Sequence, residues 1–150
     1  MLKSLTFKWK GLKDLCSSGA ISLNLVVTNE HAGHRVPTGD PERFIIIKMS
    51  LYNSDSEKIQ EESYRIGEKW KWYPEAKKLD DNNLNPGESR NYKLNASGLK
   101  SGKYFVKLEV TKHRMTEKTA EHNGLDDSYP RSIIMHTDEI SFIVKQISFN

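Results

Sequence analysis

Alternation of apolar and polar residues at a period of two governs this chain. In ISLNLVVTN (21–29), Ile21, Leu23, Leu25 and Val27 alternate with Ser22, Asn24, Val26 and Thr28, the pattern of a strand with one buried face. LTFKWKGL before it alternates Leu5, Phe7 and Trp9 with Thr6, Lys8 and Lys10, and SSGA supplies a turn between the two. RFIIIKMSLYN (43–53) is apolar on both faces through its first half, as a central strand covered on both sides would be. NSDSEK then reads as a hairpin turn and KIQEESYRI as a polar strand with edge character. KYFVKLEVTKHRM (103–115) alternates again.

Residues 67–88 show no clear period and read as an irregular segment, carrying Trp70, Trp72, Pro74, Pro86 and an Asp/Asn cluster. SRNYKLNAS reads as a short strand. NPGESRNYKL and LKSGKYFVKLEV, each opened by a Gly-containing turn, are expected to be sequential hairpin partners. TEKTAEHNG predicts a short helix ending at Gly124, and RSIIMHTDEISFIVKQISF one or two closing strands. Seven or eight strands with little helix predict an all-β fold: an antiparallel, immunoglobulin-like β-sandwich with long loops. A chain of 150 residues fits one such domain over 1–150. The Cys…Trp…Cys hallmark of antibody domains is missing, so the likeness is one of architecture.

Composition narrows the function classes. The chain is 36% hydrophobic and 29% charged, polar but rich enough in aromatic and branched residues to fold. The net charge is +3, with basic residues scattered among acids and no nucleic-acid module, so no nucleic-acid partner is expected. No apolar run approaches the ~20 residues of a membrane-spanning helix, and MLKSLTFKWKGLKDL lacks the features of a signal peptide. On residues alone a cytoplasmic location is as compatible as that of a mature or excised domain. The lone Cys16 makes neither an internal disulfide nor a thiolate zinc cage. Without C-x-x-C-H, this chain attaches no c-type haem covalently.

Three stretches could carry chemistry. In TNEHAGHRVPTGDPER (28–43), His31 and His34 stand at i and i+3, and a metal site could be completed by Asp40 or Glu42. Gly33, Pro37, Gly39 and Pro41 break any helix, so the spacing fixes no geometry. The competing reading is a rigid turn in which one imidazole bonds to backbone and Arg43 pairs with Asp40 or Glu42. In KWKWYPEAKKLDDNNL, Trp70, Trp72 and Tyr73 could stack on a sugar or base, or cover the open end of the core. Asp80, Asp81, Asn82 and Asn83 lack the spacing of a calcium loop. His113, His122, Asp126 and Asp127 have no assignable partners, and Asn95-Ala96-Ser97 matches a glycosylation sequon. No hydrolase nucleophile, P-loop or dinucleotide motif is present, so no catalytic residue is assigned and a non-enzymatic role is expected.

VTNEHAGHRVPTGDPERFI resembles a segment of bacterial multihaem c-type cytochromes, in which a strand ending V-T-N leads into a G-H-x-x-P-T-G turn and an Arg-led apolar strand. WKWYPEAKKLDDNNLNPGESRNYKL is similar to that family's Trp, D-x-x-L-x-P-G-E-S and returning strand, and VTKHRMTEKTAEHNGLDD…SII to its tail. The likeness spans about residues 20 to 145. It implies a β-sandwich appended to a haem-bearing part, packing beside haems, contacting a neighbouring subunit or lending an axial histidine. His34 matches the motif histidine and becomes the residue for haem contact or axial ligation in a partner. Gly33, Pro37, Thr38 and Gly39 match the turn, with Asp40 and Arg43 flanking it, whereas His31 is outside the motif. The resemblance implies a multihaem cytochrome or other protein partner, a haem held by that partner, and a periplasmic or surface location. The chain departs from the family in having no C-x-x-C-H of its own.

Overall fold

The computed structural model describes residues 4–11, 19–126, 128 and 130–145. Cys16 and Asp127 lie outside them. The alternating segments form β1 (Leu5–Lys10), β2 (Ile21–Asn29), β3 (Phe44–Asn53), β4 (Lys58–Lys71), β5 (Lys77–Asp81), β6 (Ser89–Ala96), β7 (Gly102–His113) and β8 (Ser132–Val144), with one helix, α1 (Glu117–His122). Two antiparallel sheets result, β1-β2-β6 and β5-β4-β3-β7-β8. The protein is an all-β sandwich, as its period predicts.

Burial explains the layers. Leu23, Leu25 and Val27 of β2 face Ile45, Ile47 and Met49 of β3 and Val106, Leu108 and Val110 of β7 in one core, all at most 1% exposed. Each such side chain contributes about 1.5–3 kcal/mol on leaving water. β3 is central, paired with β4 on one side and β7 on the other. Contacts also close the two seams of the sandwich. The Trp9 indole donates to Asp138 Oδ2 at 2.8 Å and Phe7 stacks on His136, joining β1 to β8. Tyr64 of β4 meets Tyr92 of β6 with ring centroids 4.8 Å apart.

Two expectations are corrected. β6 and β7 are not hairpin partners: β6 pairs with β2 and β7 with β3 and β8, in different sheets. The link between them carries Leu99, which is buried and whose N–H donates to the Gly19 carbonyl at 2.8 Å. Anchoring that apolar side chain draws the chain from one layer to the other. Nor is the stretch after residue 66 irregular. β4 runs on to Lys71 and β5 returns against it, with a bulge between Lys69 and Trp70. The polar strand expected over KIQEESYRI keeps its edge character, because β5 pairs only with Glu68–Lys71. α1 forms where expected, capped by the Thr116 hydroxyl accepting from the Thr119 N–H, and Gly124 follows it at φ 67°.

Candidate functional site

The 30–43 loop passes from β2 in the small sheet to β3 in the large one, and backbone bonds fix its course. Asn29, fully buried, ends β2. Its N–H donates to the Glu88 carbonyl at 3.0 Å, and its own carbonyl accepts from Gly87 at 2.8 Å. Its side-chain amide donates to the carbonyls of His34 (2.8 Å) and Leu84 (3.1 Å). Val36 and Leu84 exchange both backbone hydrogen bonds at 2.9 Å. The Asn83 amide donates to the Pro37 carbonyl at 3.1 Å, beyond a cis Val36–Pro37 bond. Asp40 closes the turn, its Oδ1 accepting from Glu42 N–H at 2.9 Å and its carbonyl from Arg43 N–H at 3.0 Å. The two motif segments, far apart in sequence, therefore form one backbone-bonded unit.

His34 lies exposed on this unit. Its Nδ1 is 3.0 Å from the Arg35 carbonyl. A carbonyl only accepts, so Nδ1 is the donor in this contact, and in the neutral ring that leaves the lone pair on Nε2. His31 is also exposed, and its backbone N–H donates to the Ser4 carbonyl at 3.3 Å. Among the described residues, no group of three or more His, Cys, Asp or Glu side chains is placed to hold a metal ion. Gly39 is at φ 93°, where a Cβ would lie 3.2 Å from Arg43 Nη1. Arg43 forms no ion pair with Asp40 or Glu42.

Charge is concentrated on Arg35 and the β4–β5 ribbon instead. The Arg35 guanidinium pairs with Asp81, while Lys78 reaches Asp81 at 2.8 Å and Glu68 at 3.1 Å. The Arg35 and Lys78 bonds hold the Asp81 carboxyl well below the usual carboxylate range. The Trp70 indole N–H, 2.9 Å from Glu68 Oε2, lowers that acid too. Trp70 and Trp72 stack on each other at 5.1 Å and 7°. The Trp72 indole donates to Glu42, whose other oxygen accepts from the Thr119 hydroxyl at 3.0 Å. Glu42 thus ties ribbon, loop and α1 together. With one face of each indole covered by the other, the pair is occupied within the ribbon and does not cover the core. An open depression of about 200 Å³ remains between loop and ribbon, lined by Arg35, Thr38, Asp40, Arg43, Glu68 and Asn83.

Other candidates disperse. Asn82 satisfies backbone, accepting from Gly67 N–H at 2.8 Å and donating to the Arg65 carbonyl at 2.7 Å. His113 stacks on Phe44 at the end of β7, whereas His122 ends α1. The sequence does not single out Asn29, Arg35 or Leu84, and it offers Glu42 only as a metal ligand or a partner of Arg43, not as the tie to Trp72 and Thr119. The available signal was the L-x-P-G-E segment that returns to pair with V-T-N.

No protein-family model matches this chain, and neither does any curated protein. Among solved structures it is similar to a penta-haem cytochrome c552 from Thermochromatium tepidum, with a TM-score of 0.74 and 17% identity. The match covers 93% of this chain and 40% of that one, so the chain spans less than half the length of that cytochrome. At this identity the likeness is one of fold.

Proposed function

We propose that this sandwich is a non-enzymatic electron-transfer accessory module that docks on a haem protein outside the cytoplasm and offers His34 to a haem of that partner. The observation that carries the reading is the placement of His34: an exposed imidazole with Nδ1 tied to a backbone carbonyl, which in the neutral ring leaves Nε2 to bind a metal. That tautomer, oriented by a carbonyl, suits an iron ligand. The likeness in fold to a multihaem cytochrome supports the class of partner. The haem would supply the redox chemistry, and this chain would supply an axial nitrogen and a surface. The Asn29, Val36 and Asn83 bonds hold the ring's backbone in place, and Arg43 at the end of the same loop suits haem carboxylates.

The test uses a ferric haem c peptide with one open axial position. Wild-type protein should shift its Soret band toward the low-spin, two-nitrogen form, His31→Ala should do the same, and His34→Ala should not. An equal shift with His34→Ala, or none with wild type, overturns the reading.

A further inference from the structure

The β4–β5 ribbon leaves the body of the sandwich. The last β3 partner of β4 is Gly67, opposite Phe44, and beyond it Glu68–Lys71 pair only with β5. Its two faces differ. One carries the stacked tryptophans and Lys78, directed to the loop and its acids. On the other, Lys71 is directly opposite Lys77. Like charges facing each other across strands oppose folding, yet neither makes an ion pair among the described residues. Lys69 stands on the same face opposite Asp80, and Glu75 lies in the link between the strands, so the unbalanced charge of this face sits at Lys71 and Lys77. The ribbon also displays Tyr73, 84% exposed, and Leu79, 59% exposed.

We infer that this face of the ribbon docks on an anionic lipid surface, with Lys71 and Lys77 against phosphate headgroups and Tyr73 and Leu79 at the headgroup–acyl boundary. Charge complementarity selects an anionic occupant, and flexible lysine stems beside an exposed phenol are the side chains of that boundary. A ribbon this short cannot supply the ~20–30 residues a side of a stable protein interface. A bilayer surface asks only for clustered charge and a few apolar side chains. No helix among the described residues is long and apolar enough to cross the membrane, and surface docking needs none.

The experiment is co-sedimentation with vesicles of phosphatidylcholine, with and without phosphatidylglycerol. Wild-type protein should sediment with the anionic vesicles at low salt and be released at high salt. Lys71→Gln and Lys77→Gln should each weaken partitioning roughly five-fold, and Tyr73→Ser should weaken what binding persists at intermediate salt. Circular dichroism checks that these exposed variants keep the fold. His34→Ala should bind vesicles as wild type does, which separates this inference from the haem reading. Equal partitioning of wild type and the double lysine variant, or binding to polyglutamate without binding to anionic vesicles, overturns it.

Discussion

The side-chain amide of Asn29 donates to the backbone carbonyl of His34 at 2.8 Å from a fully buried position. One strand-end residue thereby holds the candidate ligand's own peptide unit. Replacing Asn29 with Leu removes both amide bonds and strands a buried carbonyl, at a cost of about 1–3 kcal/mol. Urea denaturation should show that loss, and the His34 ring signals in NMR spectra should broaden as its backbone loosens.

Gly67 is where the ribbon departs from β3. At φ 154°, a Cβ there would lie 2.8 Å from Phe44 Cβ and 3.0 Å from the Arg43 carbonyl oxygen. Gly67→Ala should destabilise the protein by about 1–3 kcal/mol, measured by thermal unfolding. The same change at Gly87, where a Cβ meets nothing within 4 Å, carries only the cost of its φ of 77°.

Burial pushes the His113 imidazole down, Glu117 opposing and Arg65 reinforcing that shift. A depressed histidine binds fewer protons folded than unfolded, so stability rises with pH through this range and falls once pH drops below the unfolded value of about 6.5. Unfolding free energies between about pH 7.5 and pH 5.5 should decline for wild type. They should decline less for His113→Phe, which keeps the stack on Phe44.

Asp81 works in the opposite direction. Its folded pKa is depressed by Arg35 and then Lys78, so its contribution is complete above the unfolded value of about 3.9 and is lost as pH falls further toward the folded value. Asp81→Asn should speed amide exchange in the ribbon at neutral pH. The difference from wild type should close below about pH 3.9. A difference that persists unchanged into acid would argue against the ion pairs as its source.

The strands with one buried face were legible because burial writes a period into sequence: β2 and β7 follow their alternation, while β3, apolar on both faces in its first half, reads as the central strand it is. β5 was missed for the converse reason. Its residues read exposed, exposed, exposed, exposed, intermediate, so no apolar face marks it. The β6–β7 pairing was misjudged because turn chemistry reports where a chain bends and not which sheet it enters. Leu99 sits buried on the link that carries the chain from one sheet to the other. At the loop, the motif marked His34; Asn29 and Leu84 lie in the V-T-N and L-x-P-G-E stretches, but nothing local gives them the task of holding it in place. Their roles arise only when a segment some fifty residues later returns, as the Leu84 carbonyl does to the Asn29 amide.

The loop between Asn29 and Arg43 is fastened to both β2 and the Leu84 segment before anything binds to it. Association with a partner therefore freezes little backbone here, and the entropic penalty that weakens flexible recognition loops is already met in folding. A small contact area can then suffice for a fast, reversible encounter.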